Sequence, residues 1–199
     1  MSSRTVDLFV EDVAHETFVG AIVRRIARDL KASVRVTTRS ARGGHPRVME
    51  ELAAYQKTVL RGGMMSVPDM LVVAIDTNCQ GLIKKKAEIA KRLKPAFKTR
   101  TVIAAADPHI ERWYLADSNA FQQVVGVQPR RERRKCERGR YKRLLRESIE
   151  RAGVRPLLGG IEYGRELADA MDFYQAGKLE PSLRQFVADA RAMLKHDRP

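Results

Sequence analysis

The sequence is poor in cysteine: Cys79 and Cys136 are the whole supply in 199 residues. They lack the paired spacing of a structural zinc site or a disulfide framework, so both are expected to be free thiols. No apolar run approaches the roughly 20 residues needed to cross a bilayer. The opening MSSRTVDLFVED has no basic region followed by an apolar stretch and a cleavage site. A soluble, cytoplasmic protein without a membrane partner is therefore expected. There is no internal repeat, no long low-complexity linker and no Walker A loop, so an ATPase working with this protein would be a separate polypeptide. At 199 residues there is room for one ordinary domain with an appendage but not for two full domains, and 44% apolar residues suffice for a core.

Acidic residues are also in short supply. Against 24 Asp plus Glu stand 38 Lys plus Arg, a net charge of +14 and a pI near 10.2. A surplus of this size points to a polyanionic partner, because each phosphate neutralised releases counterions. Much of it is local. Residues 129–143 read PRRERRKCERGRYKR, where Arg130, Arg131, Arg133, Arg134, Lys135, Arg138, Arg140, Lys142 and Arg143 meet only Glu132 and Glu137. The loop RSARGGHPR adds Arg39, Arg42 and Arg47 around Gly43 and Gly44, which permit close backbone approach to a phosphate.

Hydrophobic periodicity predicts an α/β fold. Residues 5–10 (TVDLFV) read as a strand, followed by a helix with Phe18, Ile22, Ile26 and Leu30 at four-residue spacing. Residues 33–38 (SVRVTT) give a second strand, then Val48, Leu52, Tyr55 and Val59 mark a helix. Residues 70–75 (MLVVAI) form a nearly continuous apolar run, as in a strand covered on both faces, and it stops at Asp76. A lysine-rich helix over 83–93 leads to a fourth strand over 100–106, ending at Asp107-Pro108. Alternating strands and helices imply right-handed crossovers and a mainly parallel sheet flanked by helices. Beyond about Gly126 no strand is evident. Segments from Tyr141, Tyr163 and Pro181 read as helices, the last with Leu183, Phe186, Val187, Ala190 and Leu194 on one face. The division expected is a domain over 1–125 and a basic helical extension over 126–199 packed upon it.

Ligands of open parallel sheets bind beyond the carboxyl ends of the strands. There the sequence puts Glu11 and Asp12, with Glu16 one turn into the next helix; Asp76 and Asn78; then Asp107, Glu111 and Asp117. Carboxylates gathered at one rim repel unless a cation lies between them, and oxygen ligands suit magnesium or manganese. In a strongly basic protein such a rim suggests phosphodiester chemistry. Each acid also has an ordinary structural explanation: Asp12 or Glu16 as a helix-start charge, Asp76 as a cap, Asp107-Pro108 as a turn. His15 and His109 are candidate proton shuttles. Lys84, Lys85 and Lys86 start a helix after Gly81 and are candidate phosphate contacts or a solvated face. Tyr114 is a candidate base-stacking group, whereas Trp113 reads as core.

The segments LFVEDVAHETFVGAIVRRI, LVVAIDTNCQG and PHIERWYLAD resemble the signatures of small Toprim-fold nucleases, especially the stand-alone, OLD-nuclease-like and RloB-like proteins of bacterial defence systems. The resemblance covers roughly residues 6–125. Glu11 matches the family's glutamate and Asp76 the first aspartate of its Asp-x-Asp. Asn78 stands at the second, which removes one charge while leaving an amide oxygen able to coordinate a hard cation. Glu111, Trp113 and Asp117 resemble the segment that follows. The resemblance implies a Toprim-like fold and a nuclease of DNA or RNA dependent on Mg2+ or Mn2+. Its metal ligands would be Glu11, Asp76 and Asn78, and its catalytic set Glu11, Glu16, Asp76 and Glu111. A separate ABC- or OLD-type ATPase subunit is the implied partner, and a homodimer would fit the cutting of two strands. Nucleic acid would be held by Arg42, Arg47, Lys84, Lys85, Arg130, Arg131, Arg133, Arg134, Lys135 and Arg138. Two rival readings stand beside it: a non-catalytic nucleic-acid-binding or assembly subunit on a degenerate Toprim scaffold, and a metal-dependent phosphotransfer enzyme acting on small nucleotides.

Overall fold

The structure is a computed structural model describing residues 3–40, 44–62, 66–130, 132, 136, 137 and 139–195. Four strands, β1 (Arg4–Val10), β2 (Val34–Ser40), β3 (Met70–Asp76) and β4 (Thr101–Ala106), form one parallel sheet in the order β2-β1-β3-β4. The chain leaves β1 to pair β2 on one side and returns to pair β3 on the other. Helix α1 (Val13–Asp29), which makes the first crossover, therefore lies on one face, and α2 (His45–Leu60), which makes the second, on the other. The carboxyl ends of β1 and β3 become neighbours at the point where the direction of winding reverses.

Side-chain alternation divides the core between the faces. Val6, Leu8 and Val10 of β1 join Val72, Ala74, Val102 and Ala104 beneath α1. Phe9, Leu71, Val73 and Ile75 face α2, α3 (Leu82–Arg92) and the short α4 (Pro95–Lys98), where Val48, Leu52, Ile89 and Phe97 are buried. Every residue of β3 is buried, as its continuous apolar run requires. Asp12 starts α1 by accepting the His15 backbone N–H at 3.1 Å, and the Phe18, Ile22, Ile26 stripe then turns into the core.

After β4 come α5 (Glu111–Tyr114), α6 (Ser118–Val125), α7 (Arg140–Glu150), a 3-10 turn (Ile161–Tyr163), α8 (Gly164–Ala170), α9 (Phe173–Leu179) and α10 (Pro181–Lys195). Leu167, Phe173, Leu183, Phe186, Ala190 and Leu194 share the apolar cluster of α1 and β4, so the C-terminal helices complete one face of the sheet. Burying a side chain of this size contributes about 1.5–3 kcal/mol. Trp113 is core: its ring stacks on Phe186 at 5.7 Å and its Nε1–H donates to Ser182 Oγ at 2.9 Å. No helix among the described residues is long and apolar enough to cross a membrane.

The expectation of two free thiols is corrected. Cys79, in the loop after β3, and Cys136, shortly before α7, form a disulfide with Cα atoms 5.8 Å apart. Both residues are exposed. Their distance in sequence concealed the pairing, which exists because the fold returns the chain before α7 to the carboxyl end of β3.

Candidate functional site

Asp76 closes β3 and is the hub of a hydrogen-bonded cluster. Its Oδ1 accepts the Ile110 backbone N–H at 2.7 Å, and its Oδ2 lies 2.9 Å from His109 Nδ1. Its own backbone N–H donates to Glu11 Oε2 at 3.0 Å, while the Glu11 N–H donates to Ala74 O at 3.1 Å. Glu11 is thus tied to the β1–β3 junction through its main chain and its side chain. Gly44, at the start of α2, approaches from the other side: a Cβ there would stand 3.8 Å from Glu11 Oε1.

His15 is wholly buried between two carboxylates. Its Nδ1 lies 2.8 Å from Asp12 Oδ1, and its Nε2 lies 3.2 Å from Asp76 Oδ1, outside hydrogen-bond geometry. Burial opposes a charge on the ring. The Asp76 charge and the Asp12 hydrogen bond outweigh it and raise the His15 pKa to about 10. The imidazolium reciprocates: despite burial, Asp12 is held down at about 2. Asp76 lies below its ordinary value because the His15 charge and the His109 hydrogen bond overcome desolvation. The hydrogen bond to Asp76 in turn raises His109.

Glu111 differs from these acids. It begins α5, is 1% exposed, and neither carboxylate oxygen has a hydrogen-bond partner. Burial first, and the Asp76 charge second, push its carboxyl above the ordinary value. A buried carboxylate left without donors is costly, and the cost is relieved by taking up a proton or by a cation brought to the site. Glu111 lines an open cleft of about 660 Å³, together with Asp12, Val13, Ala14, Leu158 and Ile161. The opposite wall is α7, which contributes Lys142, Arg143 and Arg146. Tyr141, Leu144, Leu145, Ser148 and Ile149 bury the other side of that helix and so turn its cations outward. The charge of Lys142 reaches Asp12, His109 and Glu111 alike. Arg143 pairs with Glu137 at 2.8 Å and Arg146 with Glu150 at 3.5 Å, both on the protein surface.

The other residues singled out from the sequence have scattered positions. Glu16 sits half-buried in the first turn of α1, its backbone N–H donating to Asp12 O at 3.0 Å as the helix begins. Asn78 is exposed, in a left-handed conformation at φ 47°, its N–H donating to Pro108 O at 3.1 Å. Asp107 accepts the Thr77 hydroxyl at 2.7 Å. Asp117 caps α6 and accepts the Asp172 N–H at 2.7 Å, an architectural role. Tyr114 is buried, its hydroxyl donating to Ala14 O at 2.9 Å. Lys85 is 2% exposed and lies 2.9 Å from Glu88, which also meets His45 at 2.8 Å. Lys84 is exposed beside a separate cleft near Asp107 and Arg112, and Lys86 pairs with Asp189 on α10. Arg47 is exposed and paired with Glu50 and Glu51; Arg130 lies 3.6 Å from Glu147. Arg42, Arg131, Arg133, Arg134, Lys135 and Arg138 fall outside the described residues.

Sequence reasoning missed Arg146 as a cleft residue and the bridging place of His15. Arg146 has a local signal: it lies one helical turn beyond Lys142, so the two share a face. His15 has none, because its second carboxylate comes from β3.

Among the described residues, no group of three His, Cys, Asp or Glu side chains is placed to hold a metal ion. Magnesium does not require such a cage, since it is commonly held by one or two carboxylates together with water and substrate phosphate. Glu111 offers two uncompensated oxygens for that purpose. Comparison with family models, with curated proteins and with solved structures finds no match to this chain.

Proposed function

We propose that this protein is a magnesium- or manganese-dependent nuclease hydrolysing phosphodiester bonds of DNA or RNA in the cleft between the β1–β3 junction and α7. The observation that carries this reading is Glu111: a buried carboxylate without a donor, opposite three cationic side chains. An acid without compensation calls for a cation, and a basic wall facing it calls for phosphate. The donor that supports metal binding is Glu111, and Asp76 ties its segment to the β1–β3 junction by accepting the neighbouring Ile110 N–H while its own N–H donates to Glu11. The divalent ion would supply water activation and charge neutralisation at the phosphate.

The chain's own residues supply the rest. Lys142, Arg143 and Arg146 hold the nucleic-acid backbone, and the salt-sensitive attraction of the whole basic surface brings it there. Asp76 fixes the His109 ring through Nδ1 and favours its protonated form, which leaves Nε2 to donate to the departing oxygen. The His15 imidazolium offsets one of the two negative charges of Asp12 and Asp76 from within, which lessens their repulsion of the substrate. The defence setting and a separate ATPase partner belong to this proposal through the resemblance of the three acidic segments alone.

That same internal neutralisation by His15 favours a second reading, a nucleic-acid-binding subunit that needs no metal. The experiment that separates them is cleavage of labelled plasmid, linear duplex, single strands and transfer RNA with manganese, magnesium or chelator. Wild type is compared with Glu111→Gln and Glu11→Gln. Metal-dependent products lost in both variants, with oligonucleotide binding in chelator retained, support the nuclease. Binding without products under any metal supports the binding subunit, and absence of both overturns each reading.

A further inference from the structure

The cleft has a third surface that the nuclease reading leaves unused. The segment between α7 and α8 presents Leu157 and Leu158, 91% and 60% exposed, and Leu158 and Ile161 line the cleft beside Glu111. This exposure is built into the loop. A single carboxylate, Glu162, accepts the backbone N–H groups of Leu157 at 2.7 Å, Leu158 at 3.3 Å and Gly160 at 2.9 Å. Gly159 and Gly160 supply the left-handed turns at φ 70° and 102° that the path requires. Two leucines fixed in water by such a scaffold forgo the burial that would stabilise them, so an apolar contact from outside is the natural complement.

Resting on the nuclease reading, we infer that the cleft selects an unpaired nucleic-acid strand, with a nucleobase against Leu158 and Ile161 and its phosphates along Lys142 and Arg146. Three observations carry the choice. The volume of about 660 Å³ lies in the range of pockets that take a single nucleotide-sized group. Lys142 and Arg146 are one helical turn apart on the same face, so they form a short track for a backbone. An apolar lip next to a cationic wall matches a nucleotide, which is apolar on its base faces and anionic at its phosphate. In a duplex those faces are stacked on their neighbours and only groove edges are accessible. A single strand, a loop or a frayed end exposes them.

The test is fluorescence anisotropy in chelator, so that binding is read without cleavage. One labelled oligonucleotide is presented single-stranded and as its duplex to wild type, Leu158→Asn and Lys142→Ala. The single strand is expected to bind about tenfold more tightly than the duplex, as covering one base face with aliphatic side chains implies. Leu158→Asn should abolish that preference while leaving duplex affinity unchanged, and Lys142→Ala should weaken both forms. Equal affinity of wild type for the two forms, or a preference that survives Leu158→Asn, overturns the inference and leaves the nuclease reading standing. Failure to bind either form overturns both. A change of oligomeric state in Leu158→Asn on size-exclusion chromatography assigns the lip to a second copy of the chain and also overturns the inference.

Discussion

A protonated histidine inside a protein makes stability depend on pH with a definite sign. The ordinary pKa of His15 is 6.5 and the folded value is about 10, so folding is favoured whenever the ring carries its proton. That contribution is complete below pH 6.5, declines between 6.5 and 10, and is gone above. Across this window the melting temperature of wild type is expected to fall more than that of His15→Gln, by on the order of 10 °C, measured by scanning fluorimetry in buffers of equal ionic strength. Glu111 gives the opposite lesson. Its carboxyl is raised by burial, so its ionised form is a liability at neutral pH. Glu111→Gln should therefore melt no lower than wild type, and by up to about 4 °C higher, while losing metal-dependent cleavage. A clear drop in melting temperature would show that the carboxylate is compensated and would remove its claim as the site's open ligand. Glu11, Asp76 and Glu111 were legible in the sequence because each follows a strand or opens the helix after one. The partnership of His15 with Asp76 was not, since it depends on β1 and β3 being neighbours. Lys85 reads as a phosphate contact at a helix start, but the packing of α3 on α2 buries it against Glu88.

Helix α7 illustrates how an element sorts charge that the sequence merely collects. Residues 129–143 read as one basic block, and among its described residues the helix runs from Arg140 onward. Tyr141, Leu144, Leu145 and Ile149 anchor that helix so that Lys142, Arg143 and Arg146 face the cleft. Phosphate contacts reveal themselves in the salt dependence of binding. Lys142→Ala and Arg146→Ala are each expected to lower the slope of log K against log salt by about 1, with smaller change at high salt. An unchanged slope in both would place the backbone elsewhere on the basic surface. The four strands were readable as short β-branched or apolar runs and the longer helices from a period near 3.6, and their observed ends differ by only a few residues. The short elements α4, α5, α6 and α9 were not, because four to eight residues hold too few apolar positions to declare a period.

For the molecule as a whole, the sheet order decides where chemistry can occur. Winding outward from β1 in both directions opens a crevice at the β1–β3 carboxyl ends, and the residues found there are the ones the strand-end rule selects. The C-terminal helices are as much a part of this unit as the strands, since Leu183, Phe186 and Leu194 occupy the same core as Phe18 and Ile22. One further property follows from the bond between Cys79 and Cys136. It closes a covalent ring that contains β4, α5 and α6, with Glu111 inside the ring and α7 beginning just outside it. A 57-residue closure of this kind is worth about 4 kcal/mol by restricting the unfolded chain. Cys79→Ser with Cys136→Ser, or wild type in dithiothreitol, should therefore lose about that much in urea unfolding, against an unchanged control in oxidised buffer. The ring makes the thiol state of the surroundings a variable of the cleft: in a reducing medium α5 and α7 are joined by packing and by the Arg112–Tyr141 hydrogen bond, and in an oxidising one the chain itself fastens them together.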